Sequence, residues 1–389
     1  YGNATTSYTY NGIMVYSFDQ GSRETAIGLF YGDKLYTGAT TKVTFTPDAP
    51  KGYIATNVQA NGETLTANSD DSYTLTMDST NVSITADFTA TITRIVEAAA
   101  DWSSASKGWV FISSPLAASI APSSVSGLVA DTASHYDLYR LNPSNTRWEN
   151  YKNTTEHSDF KLVKGKGYLY ASKYRTKLVF VGPFNNGSSM TVDLEKGWNL
   201  VGNPFTDSVA VNKSYYKMNN TGSGIEAVDI TQNTDSIAAC TGIVVEATGN
   251  NETITFSRKT SSKSSTAPNN GSLNIALTQG DTRGTSTSSA TLLDKAIISF
   301  NEGSQLGKFY FGTQNAYIYI PQNGKDYAIA FSEGQGEMPL NFKAKENGTY
   351  TITINPKNVE MGYLHLIDNL TGADVDLLTQ ASYTFQAKI

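Results

Sequence analysis

Residues 197–205 read GWNLVGNPF, and 89 residues earlier residues 108–116 read GWVFISSPL. Each stretch is Gly-Trp, a short apolar run, and a small residue followed by proline. Proline has no N–H for a sheet ladder, so Pro115 and Pro204 mark where two strands stop. The glycine ahead of each tryptophan lets the chain turn sharply into its strand. The neighbours recur as well. YDLYRLN (136–142), GYLYAS (167–172) and KLVFVGPF (177–184) answer to SYYKMNN (214–220), GIVVEA (242–247) and ETITFSR (252–258). The spacing falls from 89 residues (108 to 197) to 75 (167 to 242), so one insertion before YDLYRLN accounts for most of the drift. Two copies are too few for a solenoid, which needs about three to bury a continuous core. A duplicated pair of β units packed on each other is the expectation, with Trp109 and Trp198 buried at equivalent places.

Composition points the same way. The 389 residues suggest two to four domains, and only 16% are charged against about 25% in an average domain. Ser, Thr, Asn and Gly fill the difference, and 23 Tyr suit pleated, half-buried surfaces. A net charge of −6 argues against nucleic acid and against an anionic membrane surface as partners. No apolar run approaches the roughly 18 residues of a spanning helix. The opening YGNATTSY has neither an initiator Met nor a signal segment, which reads as a processed product or a fragment. The single cysteine, Cys240 in IAACTGIVV, excludes an internal disulfide and reads as a buried small hydrophobe.

Strand signals run along nearly the whole chain, and the fold class is all-β, in several tandem domains. Tyr73, Leu75 and Met77 alternate, as do Val82, Ile84, Ala86 and Phe88 after a turn at 78–81, which predicts a hairpin with one buried face. TYTITINP places Tyr350, Ile352 and Ile354 on one face. AYIYIPQNGKDYAIAF sets two apolar runs around Asn323-Gly324, a strong short-range hairpin signal. Helical periodicity is confined to a turn or two around IVEAAADW (95–102). KTSSKSSTAPNNGS (259–272) has no periodicity and reads as a linker. The domains read as 1–92, the duplicated unit 93–258 (copies about 93–184 and 185–258), the linker, and 273–389.

Three segments resemble known modules. Residues 36–88, with TPDAPKGY at 46–53 and YTLTMDSTNVSITADF at 73–88, resemble a divergent internalin-type B-repeat, a small β-grasp-like module. The duplicated pair resembles the GWNLVGNPF region of large secreted surface proteins of the Bacteroidota type. YIPQNGKDYAIAF, GEMPLNFKAKENGTYTITIN and VEMGYLHLIDNLTGADVDLL resemble the pre-terminal β-sandwich of the same proteins. The resemblance implies an extracellular or cell-surface location and a role in adhesion or assembly, without catalytic residues. In that family the strand matching YTFQAK is normally followed by a last strand, whereas this sequence ends at Ile389.

No catalytic set or cofactor site emerges from the residues. His135, His157 and His365 are scattered, and none stands at metal-ligand spacing. His365 lies opposite Leu364 and Leu366, and Glu156-His157 reads as a solvated loop. Neither a nucleophile elbow nor a phosphate-cradling loop is present. NSDDS (68–72) carries oxygens suited to calcium but lacks the spaced acidic pattern of a dedicated loop.

Two kinds of surface chemistry remain. Trp148 sits in a polar segment with Arg147 and Tyr151, and reads either as a sugar-stacking platform or as a cap on the sheet edge. Tyr168 and Tyr170 make one strand face Tyr-rich and a candidate exposed surface. Ser79, Thr132, Ser208 and Ser236 each follow an Asp and precede a small or apolar residue. That pattern resembles the acceptor site of general protein O-glycosylation in the same bacterial group. The leading expectation is a non-enzymatic exported protein with a structural, adhesive or assembly role. A glycan-binding accessory region of a larger adhesin or enzyme is the alternative. YTFQAKI puts Tyr383, Phe385, Ala387 and Ile389 on one face of a strand whose outer edge is expected to meet another polypeptide.

Overall fold

The computed structural model describes residues 9–10, 13–18, 30–31, 34–35, 41–47, 49, 51–77, 84–100, 102, 107–144, 146–231, 236–258, 271–280, 291–312 and 314–389. Among these the regular elements are β-strands, apart from single 3-10 turns at Pro122–Ser124 and Ala133–His135. The helical turn expected near 95–102 does not form. Ile95 and Val96 end the strand Ile84–Val96, and the Ala99 N–H bonds the Ser172 carbonyl at 2.9 Å. One isolated turn cannot offset helix nucleation, so the pairing strands take the backbone. The chain divides into two compact units, residues 1–93 with 179–183, and residues 94–178 with 184–389.

In the first unit, Thr41–Pro47 pairs with Tyr73–Met77, while Ile84–Val96 pairs with Tyr53–Ala60 in a second sheet. The hairpin expected over 73–88 is therefore not made. Its proposed turn lies outside the described residues, but Tyr73 pairs with Phe45 and Phe88 with Ala55. The two segments face each other across a small core of Phe45, Val58, Tyr73 and Leu75, against which Ile84 and Ala86 pack. Alternation reports which face is buried and leaves the choice of neighbouring strand open.

The second unit contains the two matching four-stranded sheets of the duplication, and their register repeats. One sheet runs Val110–Ser113, Gly167–Ser172, Tyr136–Asn142, Arg147–Asn150; the other runs Gly197–Gly202, Gly242–Ala247, Tyr215–Met218, Ile225–Val228. Phe111 opposes Leu169 as Leu200 opposes Val244, and Tyr139 opposes Asn150 as Tyr216 opposes Ala227. Both strands stop two residues before buried Pro115 and Pro204. Gly108 and Gly197 both have positive φ, +86° and +109°, as the sharp entry requires.

The copies meet by a swapped pair of contacts. Ile112 of the first bridges Thr241 of the second, and Val201 of the second bridges Lys166 of the first. The Ser113 N–H bonds the Cys240 carbonyl as the Gly202 N–H bonds the Gly165 carbonyl, each at 3.0 Å. Contacts exchanged in this way define a two-fold interface, here inside one chain. The buried Arg94 guanidinium locks it, donating to the Phe111 carbonyl of one copy and the Cys240 carbonyl of the other. Burial brings its pKa down to about 10, so it stays charged at neutral pH.

The C-terminal block is one eight-stranded sheet that curls on itself, with a small hairpin of His365–Asp368 and Ala373–Asp376. Asn341–Ala344 and Ser382–Ala387 end the sheet's pairing order, yet Phe342 lies 4.9 Å from Phe385, edge to face. The sheet is thus bent far enough for its two end strands to share a core, with Tyr350, Ile352 and Ile354 buried in it as expected. Asn323 and Gly324 turn the Ala316–Gln322/Lys325–Phe331 hairpin with φ of +52° and +77°, the two left-handed residues of a primed turn.

Candidate functional site: an aromatic seam and a sheet edge

Within the second unit, the duplicated domain and the C-terminal block share one core, joined by the segment that follows Leu306–Gly307. Phe309 and Phe311 alternate with Lys308 and Tyr310, so both phenyl rings point the same way. Phe309 lies 4.9 Å from Trp198, and Phe311 lies 6.2 Å from Phe111. Behind them the two copies present matching aromatic pairs. Trp109–Tyr139 and Trp198–Tyr216 each have centroids 5.9 Å apart and rings inclined by 60°.

Polar clips fix the seam. The Tyr216 hydroxyl donates to the Gly307 carbonyl (2.8 Å) and accepts the Phe309 N–H (3.1 Å). Glu246 accepts the Gly307 N–H at 2.8 Å and the Lys325 ammonium at 2.5 Å. Lys308 pairs with Asp294, both side chains 1% exposed. Asp294 also accepts the backbone N–H groups of Ile318 and Lys295, each at 2.9 Å. Burial pushes the Asp294 carboxyl up and the Lys308 ammonium down, each opposed by the other's charge. A pair so enclosed resists separation, because either member left alone would be a bare buried charge.

The structure places the residues singled out from sequence as follows. Trp109 is buried; Trp198 is half-buried, packed on the same core. Trp148 is half-buried with its ring edge-on to Phe311 at 6.3 Å, the sheet-edge capping position. Tyr151 packs 5.3 Å from Phe160, and Arg147 is exposed. Trp148 and Tyr151 are both half-buried, each edge-on to a phenylalanine ring.

Tyr168 and Tyr170 are not exposed, contrary to the strand's appearance, being 2% and 1% accessible. The segments around Gly127 and Phe160 cover that face: Tyr168 packs on Phe160 at 5.7 Å, and its hydroxyl donates to the Lys161 carbonyl. Burial pushes both phenols up to about 12. His157 is also less solvated than its polar loop suggests, 15% exposed with Nδ1 3.7 Å from Glu149.

The remaining groups have local partners. Asp70 of NSDDS accepts the Ser72 N–H and hydroxyl, and these bonds hold its carboxyl below the usual range. His365 stacks on Tyr363 and lies 2.7 Å from Asp374. Cys240 is buried, which pushes its thiol up to about 12, against the opposing pull of Arg94. Thr132, Ser208 and Ser236 are exposed, and Ser79 lies outside the described residues.

The strand Ser382–Ala387 ends the curled sheet and, among the described residues, pairs only with Gly348–Lys357. Phe385 and Ala387 pack on the core, and Tyr383 stacks on Phe385 and donates to Asp368 at 2.7 Å. Ile389 does not continue the buried face; it is 73% exposed, because the strand ends at Ala387. The seam itself is only faintly marked in the sequence. Its signals were present in KFYF, three successive aromatic residues after a lysine, and in Glu246, a charge inside the apolar run GIVVEA. Comparison of the chain with known protein families, curated proteins and solved structures finds no match.

Proposed function

We propose that the chain is a non-enzymatic structural module of an exported cell-surface protein, acting in assembly or adhesion by presenting the edge of Ser382–Ala387 to another polypeptide. The observation that carries this reading is the edge itself. Its inner side is held by six paired residues and a half-buried aromatic face, while the outer side pairs with no described strand. An ordered strand with one free side is a template for strand addition. The aromatic seam supports the reading by holding the edge on a large unit rather than on a loose tail.

The test is photo-crosslinking from a benzophenone amino acid at Thr384 or Gln386, both exposed, in intact cells producing the full protein. Crosslinks to a second polypeptide, lost when external protease strips the surface, are the expected result. A chain that yields none and resists external protease would overturn it. Exposed Thr132, Ser208 and Ser236 fit acceptor hydroxyls of an exported protein; an intact mass equal to the sequence mass would count against modification.

A further inference from the structure

The two copies differ at one cross-strand pair. In the first, the register of Tyr136–Asn142 with Arg147–Asn150, carried two residues on, sets Asp137 opposite Lys152. Lys152 Nζ lies 2.5 Å from Asp137 Oδ1 and donates to the carbonyls of Ala133 (3.1 Å) and Tyr136 (3.0 Å). In the second, the register of Tyr215–Met218 with Ile225–Val228, carried one residue on, sets Ser214 opposite Asp229. Asp137 and Ser214 each stand two residues before their copy's seam tyrosine, so the two pairs occupy the same place in the fold. In the second copy the carboxylate stands at the position of Lys152, with a serine at the position of Asp137 and no ammonium opposite it.

Asp229 is also more deeply enclosed. It is 2% exposed and Ser214 is 8% exposed. Asp229 Oδ1 accepts the Thr231 N–H (2.9 Å) and hydroxyl (2.7 Å). Asp229 Oδ2 and Ser214 Oγ are both buried, and neither has a hydrogen-bond partner among the described residues. The adjacent Lys213 is committed elsewhere, with its ammonium 2.6 Å from Glu252. A buried carboxylate oxygen without a donor or counter-charge is costly, and folded proteins meet that cost with a partner, an ordered water, a proton or a bound cation.

We propose that Asp229 and Ser214 bind a monovalent alkali cation, which supplies the positive charge that Lys152 supplies in the first copy. One carboxylate balances one positive charge, and both donors are hard oxygens. A dedicated calcium site would bring several carboxylates, and this one has a single carboxylate. No group of three or more His, Cys, Asp or Glu lies together among the described residues.

Thermal unfolding of the intact chain tests this at constant ionic strength, with sodium or potassium chloride exchanged for N-methylglucamine chloride. A cation bound only by the folded state should raise Tm by about 2–5 °C for each tenfold increase above its Kd. Asp229→Asn should abolish that rise. The double substitution Ser214→Asp with Asp229→Lys, which installs the first copy's pair, should fold with a Tm indifferent to the alkali ion. It decides alone if Asp229→Asn does not fold. Thallium soaked into crystals should give an anomalous peak beside Asp229. A Tm that responds equally to the bulky cation, or an alkali dependence that survives these substitutions, would overturn the proposal.

Discussion

The outer hairpin of the first copy closes its charges on itself, and the equivalent hairpin of the second turns its glutamate to the C-terminal block. Glu149 of the first bonds Arg140 across its own hairpin at 2.6 Å and Asn142 at 2.8 Å. Glu226, its equivalent in the second, reaches out to Lys295 at 2.7 Å. Trp148 in the first caps a sheet edge, where the second has buried Ile225. The shared backbone shows that fold and register rest on the glycines, the prolines and the inward apolar residues. The outward residues were free to diverge, and in the second copy they became a docking face.

The largest effect should come from the paired tryptophans. Trp109→Ala removes a buried ring and should cost about 3–5 kcal/mol in urea unfolding, against about 2–3 kcal/mol for half-buried Trp198→Ala. A larger loss at Trp198 would mean that the Phe309 contact outweighs burial, and that the docking face carries more stability than the core beneath it.

Acid probes an ion pair inside the second copy next. Against the upward push of burial, the Lys213 ammonium, the Gly249 N–H and the Thr248 hydroxyl bring Glu252 down to about 2. Its pKa is depressed on folding, so its contribution is complete above the unfolded value near 4.3 and is lost as pH falls from there towards 2. With the carboxylate 25% exposed, solvent screening reduces the contribution to roughly 2 kcal/mol. Urea unfolding of the parent and of Glu252→Gln should converge as pH drops through this window. Curves that stay parallel would remove the pair from the comparison.

Much of this was legible in the sequence, for physical reasons. Gly-Trp, the proline stops and Asn323-Gly324 act through backbone constraints that neighbours cannot override, and each formed where its residues stood. The strands of 73–88 were legible as strands, but their partners were not, because alternation is the same in a hairpin and across a sandwich. Tyr168 and Tyr170 misled for a related reason: the loops that cover them belong to segments with no periodicity. The Lys308–Asp294 pair and the placing of Asp229 across from Ser214 depend on residues joined only by the folded register, which one strand's pattern does not carry.

The finest contrast is between Gly165 and Cys240, which hold the same left-handed corner of the two copies, at φ +80° and +57°. Each supplies the carbonyl that accepts the opposite copy's strand end. A Cβ at Gly165 would stand 2.7 Å from Val192 Cγ2, so Gly165→Ala adds a clash to an unfavourable φ and should cost about 1–3 kcal/mol. Cys240→Gly relieves the same φ, which is worth about 1–2 kcal/mol to an L-residue. It also gives up a buried thiol and adds freedom to the unfolded chain, about 1 kcal/mol each. The net change should lie within about 1 kcal/mol of zero in chemical denaturation. A loss above about 2 kcal/mol would show that the thiol has a packing role in the second copy that the first copy manages without.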